Sequence, residues 1–205
     1  MDLEYPSGSA AVIKRARTAG DRWRLAREAQ VLGAAAHPGV VRLHERVGGD
    51  PPTALVLGRV LGAGLEDLGP QPQEVVAGIG ASLATIVADL HDIGVAHGAL
   101  SAGHVLLDAD GRPVLCSFGA AVQPASVPDC REDVRALAVL LLGIMPAGAS
   151  KRTTRSLKVA AGRGRLGGGD SRGPGARWLA RRLVESVPGA CLPSLPFGER
   201  EVEPA

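Results

Sequence analysis

Between Leu90 and Gly119 the chain reads LHDIGVAHGALSAGHVLLDADGRPVLCSFG, and this stretch narrows the available folds more than any other. It opens on the end of an apolar helix. Val75, Val76, Ile79, Leu83, Ile86, Val87 and Leu90 recur at helical spacing, which predicts a helix over 73–92 with Gly94 at its C-terminal cap. It closes on a hairpin, because Val105-Leu106-Leu107 and Val114-Leu115-Cys116 flank the turn pair Asp110-Gly111.

The remaining elements follow from the same signals. Ala10 to Lys14 is a short apolar run that reads as a strand. Asp21 is placed to cap a helix reaching about Ala36, with Trp23, Leu25, Ala26, Ala29 and Leu32 on its buried side and Pro38-Gly39 ending it. Val40 to Val47 and Thr53 to Leu57 read as strands around the turn Gly48 to Pro52. Gly58 to Gly64 is a hinge-like link, and a short helix is expected over Leu65 to Leu68. Asp133 to Met145 is an almost wholly apolar helix that belongs in the centre of a helical layer, and Arg177 to Ser186 is a last amphipathic helix. There is no internal repeat.

Composition excludes some classes. The hydrophobic fraction of 45% supports a core, but with aromatics at 2% that core is built from Leu, Val, Ile and Ala. The net charge of +2 predicts no partner by itself, yet it is unevenly spread. Lys151 to Arg182 holds ten Lys and Arg against Asp170 alone, so that segment is +9 and the remainder −7. With its glycines between Gly162 and Gly175 it reads as a solvated linker, and less favourably as a basic patch for nucleic acid or an anionic membrane. Cys116, Cys130 and Cys191 show no paired spacing, which fits a reduced, cytoplasmic setting. The N-terminal MDLEYPSGSA has neither the basic start nor the apolar stretch of a signal peptide. The longest apolar run, Ala136 to Met145, is about half of the roughly 20 residues a membrane span needs, so it reads as a buried helix. His91, His97 and His104 recur every seven residues, but Gly94 and Gly98 interrupt any helix that would align them, and no metal site is assigned. Ser101 has no evident base beside it.

Several motifs in fixed order resemble a protein kinase from its third strand onward. Kinases place His-Arg-Asp, an Asn five residues later, and then Asp-Phe-Gly after a hairpin; the corresponding residues are His97-Gly98-Ala99, His104 and Ser117-Phe118-Gly119. Ala11 to Lys14, AVIK, resembles the strand that carries the phosphate-binding Lys. Glu28 resembles its ion-pair partner in the following helix. His37 to Leu43, HPGVVRL, and Glu132 to Met145, EDVRALAVLLLGIM, resemble two further landmarks, with Asp133 at a capping position. The kinship is with the serine/threonine kinase-like proteins of bacteria. The His-Gly-Ala-Leu run is also similar to the His-Gly-Asp-Leu of antibiotic phosphotransferases, again without the acid.

The resemblance implies a two-lobed α+β fold with a truncated small lobe and a mostly helical large one. Residues 1–57 form the reduced small lobe, 58–145 the large-lobe core, 146–176 a basic Gly-rich linker, and 177–205 a terminal helix and tail. The chain begins ten residues before AVIK, so the first two strands and their Gly-rich loop are expected to be missing, which would leave Ala11 to Lys14 at an exposed sheet edge. A stack of Leu43, Leu32, Phe118 and His97, standing on Asp133, is expected to couple the lobes. The acids of turnover are replaced: Ala99 cannot take a proton from an attacking hydroxyl, His104 is a poor ligand for a hard cation, and Ser117 brings an oxygen without charge. The implied function is a pseudokinase, a regulatory or protein-binding domain with at most weak ATP binding. Lys14, Glu28, Val12 and Leu106 would line its nucleotide pocket, Val12 narrowing it. The alternative is a serine/threonine kinase with residual ATP-dependent phosphotransfer.

Overall fold

The computed structural model describes residues 3–4, 10–162 and 175–194. The first part of the chain builds a four-stranded antiparallel sheet from β1 (Leu3–Glu4), β2 (Ala10–Arg15), β3 (Leu43–Val47) and β4 (Ala54–Gly58), in the spatial order β1-β2-β4-β3. β4 is buried from Ala54 to Leu57, as a central strand covered on both faces must be. β2 lies against it with Lys14 opposite Leu55 and Val12 opposite Leu57. The expected bare edge is partly covered, because β1 pairs with Ala10 and Ala11.

Helix α1 (Ala19–Ala34) joins β2 to β3 and buries Leu25, Glu28, Ala29, Val31 and Leu32. Its cap is Thr18 rather than Asp21. The Thr18 side chain accepts from the Asp21 N–H while the Asp21 carboxylate accepts from the Thr18 N–H, the reciprocal arrangement of a capping box. Trp23 is exposed at 66% instead of buried. It precedes Leu25 by two residues, which is about 200° around a helix and so on the opposite face. Val40 and Val41 belong to no named strand. Val40 makes an isolated parallel bridge to Leu115, and Val41 donates its N–H to the Leu115 carbonyl at 2.9 Å.

A second antiparallel sheet orders β5 (Ala63–Gly64), β6 (Val105–Leu107) and β7 (Pro113–Leu115), the hairpin of the last two turning at Gly111 with φ +74. Beneath it lies α2 (Gln73–Asp92), whose Val76, Ile79, Leu83 and Leu90 are almost wholly enclosed. α2 has the length and apolarity to cross a membrane, but 56% of its apolar window is covered by the rest of the protein. α3 (Val127–Gly143) packs beside it. It starts earlier than the apolar run because Ser126 and Asp129 form a second capping box and Pro128 fits the first turn. Asp133 therefore sits inside the helix and does not cap it.

The basic segment read as a linker begins as a helix, α4 (Lys151–Ala160). Thr153, Leu157 and Ala160 recur at helical spacing and are buried, while Lys151, Arg155 and Lys158 face solvent. Its Gly-rich part, 163–174, and the expected tail, 195–205, lie outside the described residues. α5 (Ala176–Ser186) returns along α2 and α4, with Leu179 and Leu183 wholly buried. Arg177 adds a bridge to Asp89 at 3.0 Å and to Asp92.

Candidate functional site: a basic cleft around the Lys14–Glu28 pair

The side chains singled out in the sequence come from four elements, and local geometry decides how they meet. On β2, Lys14 lies on the α1 side of the sheet. Its Nζ donates to Glu28 Oε2 at 2.7 Å, with the Lys14 side chain 40% exposed and the Glu28 side chain only 1%. The pair pins the middle of α1 to the sheet. The other carboxylate oxygen, Glu28 Oε1, is buried with no hydrogen-bond partner among the described residues, a costly state for a polar atom.

Opposite this pair runs the loop that follows α2. Asp133, 2% exposed, accepts three hydrogen bonds: from the His97 N–H at 2.7 Å, the Gly98 N–H at 2.9 Å and His91 Nε2 at 3.0 Å. Gly98 has φ +75, and a Cβ there would stand 2.5 Å from the Ala120 carbonyl oxygen, so only glycine fits this bend. The side chain of His97 is buried. Its Nε2 donates to the Cys116 carbonyl at 3.0 Å, while Nδ1 accepts from the Ala99 N–H at 3.3 Å. These partners fix one neutral tautomer. Burial lowers the His97 pKa from its ordinary 6.5, outweighing the Cys116 bond and the nearby Asp133 charge. The ring lies 4.7 Å from that of Phe118, and Phe118 shares one apolar core with Leu32 while Leu43 packs at its margin. Of the expected stack the His97–Phe118 contact is present, and Asp133 braces it from within α3 through the His97 N–H.

Ala99, His104 and Ser117 converge on the same space. His104 Nδ1 donates to the Ala99 carbonyl at 2.7 Å, which aims the ring and leaves Nε2 as the atom able to meet a ligand. Ser117 has φ 68 and ψ 54, making it the sole non-glycine residue with positive φ among the described residues. Backbone strain of this kind concentrates at functional sites. Among the described residues its hydroxyl reaches only Cys116 Sγ, at 3.9 Å. A cleft of roughly 530 Å³ joins Lys14 and Glu28 to Ala99, His104, Ser117, Gly119 and Ala120.

Two expected pocket residues fall elsewhere. Val12 is 43% exposed and Leu106 half-buried in the small sheet, and neither lines this cleft. Three cationic side chains that the sequence did not single out do line it, Arg15, Arg17 and Arg24, together with Asp21. The signal was present, since Lys14 to Arg17 reads KRAR and Arg24 precedes Glu28 by one helical turn.

The donor set does not suit the magnesium that a kinase would hold. A hard cation seeks several oxygens, whereas Ala99 offers no side-chain donor, His104 a nitrogen and Ser117 a neutral hydroxyl. His91, His97 and His104 bond to three different acceptors, and no three His, Cys, Asp or Glu side chains gather into a metal-holding group among the described residues. No family model matches the chain, and no curated protein matches it.

Proposed function

We propose that the chain is a two-lobed kinase-like domain of the bacterial serine/threonine type that has lost phosphotransfer, a pseudokinase working in the cytoplasm by binding a protein partner. One observation carries this reading. The Lys14–Glu28 pair and the residues at the three positions of turnover line the same cleft, and at those positions stand Ala99, His104 and Ser117. Nothing at Ala99 can take a proton from an attacking hydroxyl, a contribution worth about 10²–10⁴-fold in general-base catalysis. Neither His104 nor Ser117 supplies the charged oxygen that holds a metal against phosphates. What remains is a framework: the ion pair that positions α1, and the His97–Phe118 contact braced by Asp133.

The intact ion pair also favours the alternative, residual ATP-dependent phosphotransfer, since such a pair serves phosphate positioning as well as scaffolding. Radiolabel transfer from ATP to a generic protein substrate, with magnesium or manganese, separates the two. The proposal expects no signal above that of the Lys14→Met variant. Metal-dependent transfer abolished by Lys14→Met defeats it.

A further inference from the structure

One face of α4 holds it to the protein, and the other does nothing for the fold. Thr153, Leu157, Val159 and Ala160 are buried where the helix packs on α3 and α5, while Lys151, Arg152, Arg155 and Lys158 all stand in solvent. None of these four cations has a side-chain partner among the described residues. The neighbouring α5 is different, since Arg177 bridges Asp89 and Asp92 and Arg182 bridges Glu185. The arrangement on α4 is unfavourable in itself. Lys151 and Arg155 are like charges four residues apart, and Arg155 repeats the conflict with Arg152 and Lys158 at three. Two of the cations lie in the first turn, where the helix dipole opposes them and no acid offsets them. Packing of the buried stripe holds the helix against this repulsion, and a polyanion would relieve it. Beyond α4 the sequence adds Arg163, Arg165 and Arg172, with Asp170 as the one acid before α5.

We propose that the exposed face of α4 binds nucleic acid through its phosphate backbone, without regard to base sequence. Its chemistry separates this partner from other polyanions. A protein interface has an apolar core inside its polar rim, and α4 exposes no apolar side chain. A helix that lies on a membrane buries an apolar face among the lipids, and here Leu157, Val159 and Ala160 are already buried in the protein. A row of charge remains. Lys151, Arg155 and Lys158 fall within about 60° of one another around the axis and span about 10 Å along it. Over that length a duplex carries about six phosphate charges, enough to meet all three side chains and Arg152 beside them. None of these residues lines the Lys14–Glu28 cleft, so the presence or absence of phosphotransfer there has no bearing on binding here.

Fluorescence anisotropy of the full chain with a labelled mixed-sequence duplex reads both affinity and its salt dependence. With four phosphate contacts the logarithm of the binding constant should fall against the logarithm of KCl with a slope of about −3.6 or steeper, a loss of about 100-fold or more between about 50 and about 200 mM. The triple variant Lys151→Gln, Arg155→Gln, Lys158→Gln should bring that slope about 2.7 closer to zero and lose about tenfold or more of the low-salt affinity. Equal charge removed elsewhere, by Arg46→Gln, Arg112→Gln, Arg135→Gln at sites already paired with acids, should leave the slope unchanged. All six sites are exposed, and matching thermal melts establish that each variant folds. If the first variant melts early, the same three positions changed to Ala, the better helix former, repeat the measurement. No binding at the lower salt, a slope shallower than about −1.8, or a triple variant that behaves like the control overturns the proposal. Tighter binding to phosphatidylserine vesicles than to the duplex at equal salt also overturns it and assigns the face to a membrane. Tighter binding to polyglutamate does the same in favour of an acidic protein.

Discussion

Asp133 holds the loop that shapes the cleft, and removing it has a consequence of calculable size. Its carboxylate is 2% exposed and accepts from two main-chain N–H groups and one imidazole. Replacing Asp133 by Ala leaves three donors unsatisfied in the interior and opens a small void. Each stranded donor costs about 1–3 kcal/mol, and removing one member of a buried charged group costs about 3–5 kcal/mol in total, because such losses do not add fully. Against a typical domain stability of about 5–15 kcal/mol this is a large fraction. Asp133→Asn keeps the shape and one accepting oxygen but turns its NH₂ toward a donor, so about half of that loss is expected. Urea denaturation measures both variants, and an unchanged slope shows that the same surface is exposed in each. Amide exchange locates the effect, since the His97 and Gly98 amides should be protected in the parent and should exchange quickly in Asp133→Ala. A loss below about 1 kcal/mol, with both amides still protected, refutes the assignment of Asp133 as the brace of this loop.

Two further expectations concern the same loop. His97 has its pKa lowered from 6.5 mainly by burial, so the unfolded chain takes up a proton more readily than the folded one; stability should fall as pH drops below about 6.5, with a slope of at most about 1.4 kcal/mol per pH unit from this group. Denaturation between pH 7 and 5 should show that slope diminished in His97→Gln, and an equal slope in the variant refutes it. Ser117 holds a left-handed backbone, so Ser117→Gly should raise stability by about 0.5–1 kcal/mol, whereas Ser117→Val should lower it; chemical denaturation that ranks Val above Gly contradicts the strain.

Particular residues show what the sequence could and could not reveal. α2 emerged with its bounds because seven apolar residues keep one phase and Gly94 stops it. The hairpin emerged because two apolar runs flank Asp110-Gly111, although its connection spans Asp108 to Arg112, closed by the Asp108 N–H to the Arg112 carbonyl. Asp21 and Asp133 resemble caps because a carboxylate near a helix start suits that place, but the capping-box spacing belongs to the pairs Thr18/Asp21 and Ser126/Asp129, so both helices start earlier. α4 was hidden by its charge. Net charge ignores phase, and Thr153, Leu157 and Ala160 form an apolar stripe among cations. The convergence of Lys14, Glu28, Ala99, His104 and Ser117 was anticipated through resemblance. The basic wall of the cleft was not, because Arg17 and Arg24 acquire a common direction only when β2 and α1 are folded together.

The residues around the cleft divide into those that brace the frame and those that do not. The backbone at His97 and Gly98 needs an acceptor, and Asp133 provides it. α1 needs an anchor on the sheet, and Lys14 provides it through Glu28. These requirements are mechanical and remain whatever occupies the cleft. Ala99, His104 and Ser117 answer no mechanical demand of that kind beyond the His104 bond to the Ala99 carbonyl. Acids at 99 and 117 would face Glu28 and one another across the cleft and repel unless a cation joined them. Introducing Asp at both 99 and 117 should therefore lower stability at neutral pH without divalent cations, and added magnesium should recover it; thermal melts unchanged by the two substitutions and by the metal contradict this electrostatic account.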